Sequence, residues 1–281
     1  MMQKRVLAIH DISCVGRCSL TVALPILSAG GFETSLLPTA LLSTHTGEFS
    51  GYTHLDLSDE LPLIAKHFTD LHLPWDAIYS GYLASSYQVS LLMHIIDELA
   101  NEDTFIFVDP AFADHGKLYS LLPPDMPESM RSLIQKAHAI VPNFTEACFL
   151  LGLPYEKSPT IDKVEQIAKA LSELGPKQVV ITGVQLNEKQ TSVVLWEEKM
   201  KSPYWLHAPL QEGIFHGTGD VFASFLLTAL LSDMPLLPAT ELALHLTQKS
   251  IRFTLQANQP LRYGVQFEKV LPTLIRKLNL P

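Results

Sequence analysis

Short apolar runs alternate along the chain with longer segments in which apolar residues recur every three or four positions. The short runs predict strands at 5–9, 76–80, 104–110, 139–143 and 178–183. The longer segments predict helices at 19–30, 85–100, 130–139, 146–152 and 162–174. Apolar strands separated by helices are typical of a mainly parallel sheet that is covered on both faces. The pattern therefore predicts an α/β fold.

The last third of the chain departs from this alternation. Residues 191–209 alternate between apolar and polar positions without room for a helix, which predicts an antiparallel hairpin at the edge of the sheet. Two helices are then expected to close the chain. The proline-rich segment 121–129 is predicted to be a loop, because strand and helix patterns resume beyond it. We therefore expect a single domain over residues 1–281.

Composition narrows the range of partners. The 281 residues are 47% hydrophobic and 17% charged, enough for a large core, and the net charge of -9 comes without a cluster of Lys and Arg. A negative net charge without a basic cluster excludes nucleic acid and anionic membranes as expected partners and favours a small-molecule partner. Cys14, Cys18 and Cys148 form no CxxC pair, and the chain opens MMQKRVLAIHD without an apolar signal segment. We expect a cytoplasmic protein with reduced thiols.

Polar residues gather where the predicted strands end. In a parallel sheet, ligands bind outside the carboxyl ends of the strands, so these side chains are expected along one rim. They are His10, Asp11, Ser80, Gly81, Tyr82, Asp109, Asn143, Glu146, Thr182 and Gly183.

The glycine-rich stretch GIFHGTGDVFAS, residues 213–224, precedes an apolar helical pattern. The first N–H groups of a helix lack partners within it and suit an anion, so Asp220 would place a carboxylate beside a phosphate. Alternatively, Thr218 or Asp220 caps the helix. Residue types alone leave both interpretations open.

The chain lacks the GxxxxGK[ST] and GxGxxG motifs of common nucleotide sites. It does offer carboxylates at or near strand ends, and oxygen ligands of this kind suit Mg²⁺ together with phosphate. Phosphoryl transfer needs a metal, N–H donors and a base for the attacking hydroxyl, and each of these has a candidate here.

HGTGDVFAS resembles the GTGD anion-hole motif of the ribokinase-like superfamily, and VPNFTEA resembles its NxxE metal motif. Within that superfamily the chain is similar to the pyridoxal (vitamin B6) kinases nearly from end to end. The resemblance is carried by VLAIHD, LLSTHTGEFSGY, YSGYL, VDPAFADHGKLY and the two motifs. It implies a three-layer fold with a central, mostly parallel sheet and helices on both faces.

The resemblance also implies roles for individual residues. Asp220 would be the catalytic base, and the amides of Gly217, Thr218 and Gly219 would form the anion hole. Mg²⁺ would be held by Asp109, Asp114 and Glu146. ATP would contact Asp109, Tyr119, Asn143, Glu146, Thr182, Phe215 and Thr218. The vitamer would contact Asp11, His45, Thr46, Tyr82, His216 and Asp220.

Asp11 departs from the family pattern, since the better-known pyridoxal kinases have serine there. A carboxylate could accept a hydrogen bond from a protonated ring nitrogen or an exocyclic amine of the substrate, so we expect Asp11 to help choose the vitamer. Structural roles stay open for other candidates. Asp109 could end a strand, Asn143 could cap a helix, and His45 could hydrogen-bond backbone.

These observations favour an ATP-dependent and Mg²⁺-dependent kinase that phosphorylates the 5'-hydroxymethyl group of pyridoxal, pyridoxamine or pyridoxine. The resemblance further implies a homodimer. One alternative is hydroxymethylpyrimidine kinase, although its GSDxSGGAG opening is replaced here by HDISCVGRCSL. Another is a protein that holds pyridoxal phosphate without catalysis. The preferred vitamer, a K⁺ requirement and the oligomeric state are left open.

Overall fold

The alternating strands and helices are present in the computed structural model, which describes residues 3–280. The main sheet has eight strands and is mostly parallel, with an antiparallel hairpin at one edge. The chain divides into two compact units. The first comprises the residues up to Tyr79, Asp97–Thr104 and the residues from Gln211 onward, and the second comprises Ser80–Ile96 and Phe105–Leu210. The α/β prediction is confirmed, and the single domain stays a prediction.

The first unit contains the start and the end of the chain. Its strands are β1 (Arg5–Ile9), β2 (Ile12–Ser13), β3 (Glu33–Leu36), β4 (Ala40–Leu42), β5 (His54–Asp56) and β6 (Ala77–Ser80, which runs one residue into the second unit). In the main sheet the order is β6, β1, β3, and β1 and β3 are parallel. A separate small sheet has β4 between β2 and β5.

The helices of the first unit are α1 (Leu20–Ala29), α2 (Leu61–Asp70), α7 (Thr218–Leu231), α8 (Leu236–Gln256) and α9 (Leu271–Lys277). Two 3₁₀ turns, Leu261–Tyr263 and Phe267–Val270, precede α9. Helix α7 packs against both α1 and α8, and ten of its fourteen residues are buried. A helix that is apolar on most sides is held by its neighbours, so the position of its first turn is well fixed.

In the second unit the main-sheet strands lie in the order β7 (Phe105–Val108), β10 (Ala139–Ile140), β11 (Gln178–Asn187), β12 (Gln190–Glu197), β13 (Tyr204–Pro209). β12 and β13 are antiparallel, which confirms the predicted edge hairpin. A short hairpin joins β8 (Ala113–Asp114) and β9 (Lys117–Leu118), and the helices are α4 (Met126–Ile134), α5 (Phe144–Leu150) and α6 (Ile161–Glu173). Helix α3 (Ser86–Leu99) begins in this unit.

Two expectations about element boundaries were wrong. Helix α4 begins at Met126, inside the segment predicted as a loop, and Pro127 lies in its first turn, where the missing N–H of proline costs no helical hydrogen bond. Three helices rather than two end the described chain, because α9 follows the 3₁₀ turns. No helix within residues 3–280 is long and apolar enough to cross a membrane.

Candidate active site

Helix α7 starts at a backbone position that only glycine fits. Gly217 has φ +72°, and a Cβ atom there would lie 1.9 Å from the carbonyl oxygen of Arg17. At Gly219, by contrast, an added Cβ would meet nothing within 4 Å. The N–H groups of the first helical turn have no partner within the helix. The start of α7 therefore combines N–H donors with open space, as an anion site requires.

The structure excludes the capping interpretation. The cap position of α7 is Gly217, and no side chain caps the helix. The Thr218 hydroxyl donates instead to the carbonyl oxygen of Phe215 at 3.0 Å. Asp220 lies in the first turn, at the third residue of the helix.

The surroundings of Asp220 favour its neutral form. Burial raises the pKa of this carboxyl to about 7, the nearby charge of Asp11 adds to the shift, and the neighbouring Ser19 backbone opposes it. Burial, and after it the charges of Asp220 and Asp11, raise the pKa of the Cys18 thiol far above its usual range. A carboxylate that titrates near neutral pH suits a general base.

Asp11 is buried at the end of β1 and is engaged by two hydroxyl groups. Ser19 Oγ donates to one carboxylate oxygen at 2.5 Å, and Ser13 Oγ donates to the other at 3.1 Å. Burial raises the pKa of Asp11 above its ordinary value, and both hydroxyl groups oppose the shift. Sequence reasoning missed Ser19, since no motif marks it.

His45 uses both ring nitrogens on the backbone. Nε2 lies 2.6 Å from the carbonyl oxygen of Arg262, and Nδ1 lies 3.1 Å from the N–H of Gly47. Because a carbonyl only accepts and an amide N–H only donates, Nε2 carries the proton and the ring is neutral. Burial lowers the pKa of His45, which agrees with this state. The geometry thus supports the backbone-bonding interpretation of this residue.

His216 lies beside His45, with ring centroids 5.1 Å apart, and its Nε2 is 3.2 Å from a Glu48 carboxylate oxygen. Thr46 is exposed in the same loop, and Phe215 is partly buried just before α7. The first unit thus brings together Asp11, His45, His216 and Asp220 around the loop before α1 and the start of α7. We call Asp11, Ser19, Gly217 and Asp220 the base cluster.

In the second unit, Glu146 holds a loop through backbone N–H groups. One carboxylate oxygen accepts from Phe112 and Ala113 at 2.8 and 3.2 Å, and the other accepts from Asn143 at 2.8 Å. Burial raises the pKa of Glu146 to about 8, against the effect of these three donors. Asn143 caps α5 by accepting from the Glu146 N–H at 3.0 Å and also donates to the Ala113 carbonyl at 2.6 Å. This capping box ties residues 112–113 to α5.

The remaining candidates of this unit lie at strand ends or in adjoining loops. Asp109 is buried directly after β7, and its N–H donates to the Ser80 carbonyl at 2.9 Å. Asp114 is exposed and accepts from the His115 N–H at 2.8 Å. Thr182 lies where the pairing of β11 and β12 shifts register, next to Gly183 with φ +69°. The rings of Tyr82 and Tyr119 are 6.5 Å apart between centroids.

The carboxylates predicted to bind metal do not form a ligand cage by themselves. Among residues 3–280, no group of three or more His, Cys, Asp or Glu side chains could hold a metal ion. Glu146 already accepts three backbone N–H groups. A protein site of few carboxylates still fits Mg²⁺ that arrives with phosphate, because this ion keeps several waters and takes phosphate oxygens as ligands.

Comparison with known proteins identifies the class to which this fold and site belong. The family model described as phosphomethylpyrimidine kinase matches residues 28–264. The chain therefore belongs to this kinase family and is a phosphotransferase.

Three similar proteins extend this finding. A Bacteroides thetaiotaomicron protein given the name of a phosphomethylpyrimidine kinase, and crystallised with pyridoxal, is 36% identical with a TM-score of 0.93 over 100% of this chain and 97% of its own. The structure of pyridoxal kinase from Lactobacillus plantarum is 31% identical, with a TM-score of 0.90 over 98% of both chains. A pyridoxine/pyridoxal/pyridoxamine kinase of Bordetella avium is 27% identical over 95% of this chain and 89% of its own.

Gly217 and Gly219 should respond differently to the same substitution. Gly217→Ala places Cβ against the Arg17 carbonyl at positive φ, so we expect a loss of about 2 kcal/mol or more in the free energy of unfolding. Gly219→Ala should leave stability nearly unchanged, yet reduce phosphate binding because Cβ enters the open space. Urea unfolding and turnover of both variants test this, and equal stabilities would contradict it.

Glu146→Gln should destabilise the protein. The amide group of glutamine cannot accept from all three backbone N–H groups, so a buried donor loses its partner at a cost of about 1–3 kcal/mol. Thermal unfolding measures the loss, with Glu198→Gln at an exposed site as the matched control. Equal melting temperatures for the two variants would show that the Glu146 hydrogen bonds do not hold the loop.

Proposed function

We propose that this protein is an ATP-dependent kinase that transfers the γ-phosphoryl group to the 5'-hydroxymethyl group of a vitamin B6 vitamer. One observation carries the proposal: a carboxyl with a pKa of about 7 lies in the first turn of α7, where free N–H groups face open space. The names of the relatives supply the substrate class. Pyridoxal, pyridoxamine and pyridoxine share the hydroxymethyl group that the reaction needs.

In this reaction Asp220 accepts the proton of the hydroxymethyl group as its oxygen attacks the γ-phosphorus. The amides of Gly217, Thr218 and Gly219 stabilise the negative charge of the transferring phosphoryl group. Because Asp220 must be ionised to accept a proton, a pKa near 7 leaves a large fraction active at neutral pH.

The second unit supplies the proposed residues for Mg·ATP. Magnesium would neutralise the phosphates and would be held by Asp109 and Asp114, directly or through water, while Glu146 and Asn143 fix the loop that carries Asp114. Further ATP contacts are assigned to Tyr119, Thr182, Thr218 and Phe215.

The vitamer ring is assigned to the loop residues of the first unit and to Tyr82. Thr46 is exposed in this loop, and His216, whose Nε2 is paired with Glu48, would reach the ring from beside His45. His45 acts differently from the role given by the resemblance, since both of its nitrogens hold backbone groups. We propose that it shapes the loop and contacts the ring only through its carbon atoms.

Hydroxymethylpyrimidine kinase is the second candidate function, because the matching family model carries the related name. The reaction would use the same base and anion site on a different ring. We also propose a homodimer on the family resemblance, and light scattering at micromolar concentration tests it. A cytoplasmic location is proposed because Cys14, Cys18 and Cys148 are all free thiols.

An ADP-release assay across pyridoxal, pyridoxamine, pyridoxine and hydroxymethylpyrimidine tests the function. We expect turnover of at least one vitamer with a higher kcat/KM than for the pyrimidine, and Asp220→Asn should lower kcat by roughly 10²–10⁴. The kcat of the wild type should fall as pH decreases below 7, because Asp220 becomes protonated. Normal turnover of Asp220→Asn would refute the proposed base.

The melting temperature of Asp220→Asn supplies an independent control. Folding raises the pKa of the Asp220 carboxyl, so the folded state is less stable when this carboxyl is ionised than when it is neutral. Asparagine at this position does not titrate. The wild type should therefore lose stability relative to Asp220→Asn as pH rises through 7. A folded but inactive Asp220→Asn variant then separates loss of the base from loss of structure.

Asp109→Asn should weaken use of Mg·ATP more than binding of the vitamer. A carboxylate near Mg²⁺ offsets phosphate charge, whereas the ring is assigned to other residues. Isothermal titration calorimetry should show vitamer affinity within about threefold of wild type, while KM for Mg·ATP rises by about tenfold or more. An equal loss of both affinities would indicate a structural role for Asp109.

A further inference from the structure

The β4–β5 loop, residues 43–53, carries His45 and Thr46, which are assigned to the vitamer ring. The loop is closed at its base, where the Ser43 N–H donates to the Thr53 carbonyl at 3.1 Å and the Thr53 N–H donates to Ser43 Oγ at 2.9 Å. Strand pairing ends at this base, since β4 ends at Leu42. The outer part of the loop is held by contacts with other segments of the first unit.

His45 connects the middle of this loop to the 3₁₀ turn Leu261–Tyr263. Its Nε2 donates to the Arg262 carbonyl at 2.6 Å, and its Nδ1 accepts from the Gly47 N–H at 3.1 Å. The imidazole fits closely, because a Cβ atom at Gly16 would collide with its ring. The position of the turn therefore determines where His45 and Gly47 lie.

The side chain of Arg262 makes a second connection between the turn and the loop. Its guanidinium carbon lies 5.1 Å from the centroid of the Phe49 ring and 5.3 Å from that of the Tyr263 ring. A guanidinium within about 6 Å of a ring centroid is attracted by the ring quadrupole. The Phe49 ring also meets the His45 ring edge-on, with centroids 4.9 Å apart. Arg262 thus contacts the loop twice, with its carbonyl at His45 and its guanidinium at Phe49.

The turn itself is fixed to the loop before α1. The Tyr263 carbonyl accepts from the Arg17 N–H at 3.1 Å and from Arg17 Nη1 at 3.4 Å, while Arg17 Nε pairs with Glu268 at 2.6 Å. A Cβ atom at Gly264, where φ is +80°, would lie 2.8 Å from the Arg17 carbonyl oxygen. The same carbonyl lies against Gly217 at the start of α7. The turn and the first turn of α7 therefore share one anchor.

His216 holds the β4–β5 loop from the segment before α7. Its Nε2 lies 3.2 Å from a Glu48 carboxylate oxygen, and a Cβ atom at Gly47 would collide with its ring. Loss of the Arg262 side chain should therefore loosen the loop without releasing it.

We propose that Arg262 is a positioning residue for the vitamer: its carbonyl and its guanidinium hold the β4–β5 loop against the anchored turn, where the loop would contact the ring. This inference rests on the proposed function in assigning the vitamer to this loop. Arg262 is itself exposed and lies outside the core. Its side chain is therefore expected to act on vitamer binding rather than on the stability of the whole unit.

The test compares Arg262→Gln, which removes the cation, with Arg262→Lys, which retains one. Arg252→Gln, at an exposed position of α8, is the matched control. Amide hydrogen exchange by NMR measures the hold on the loop without substrate. The Gly47 N–H reports on the outer loop, the Ser43 N–H on its base, and the Arg17 N–H on the turn. The same variants are assayed for kcat and for KM of the vitamer and of Mg·ATP.

In Arg262→Gln we expect exchange at Gly47 to accelerate about three- to tenfold, the effect of losing one or two exposed cation–π contacts. Exchange at Ser43 and Arg17 should stay within about twofold of wild type, because their partners are backbone carbonyls that the substitution retains. The KM for the vitamer should rise by a similar factor, whereas kcat and the KM for Mg·ATP should not change. Arg262→Lys should recover much of the loss, and Arg252→Gln should match wild type.

Unchanged exchange at Gly47 in Arg262→Gln, or an unchanged KM for the vitamer, would overturn the inference. Equal acceleration at Gly47 and Arg17 would overturn it as well, since the turn itself would then have loosened. If the wild type turns over no vitamer while exchange at Gly47 responds as expected, the proposed function is refuted and the hold of Arg262 on the loop is supported.

Discussion

The close approach of the Gly217 backbone to the Arg17 carbonyl oxygen is the contact on which the base cluster depends. It requires a residue without a side chain, and it sets the loop before α1 directly on the first turn of α7. Because α7 is packed by α1 and α8, that turn is held in place. The loop closes one side of this turn, and the side at Gly219 is left open to a ligand.

Both units use a buried carboxylate to shape a loop, but the consequences differ. Asp11 accepts from two hydroxyl groups and leaves Asp220 to do the proposed chemistry. Glu146 accepts from three backbone N–H groups, so it organises the loop 112–113 and has little capacity left for a metal. A carboxylate in a family motif can therefore serve the reaction through the backbone that it holds.

The periodicity of the chain predicted most of the main-sheet strands, because a buried parallel strand is apolar throughout and stands out between helices. It missed β3 of the main sheet, and it missed β2, β4, β5, β8 and β9, whose two or three residues are too short to show a period. It also placed a loop where α4 begins, because prolines at 123, 124 and 127 look like breaks although a proline in a first helical turn is compatible with a helix.

The sequence by itself determined the α/β class, the position of the GTGD helix start and the family resemblance, because these depend on local patterns of residue types. Only the tertiary structure decided that Asp220 does not cap its helix, that His45 is neutral and bound to backbone, and that the Arg17 carbonyl lies against the Gly217 backbone. These contacts join segments that are distant along the chain, such as Arg17 and Gly217 or His45 and Arg262. Hydrogen bonds and burial at such contacts arise from packing, which no local pattern encodes.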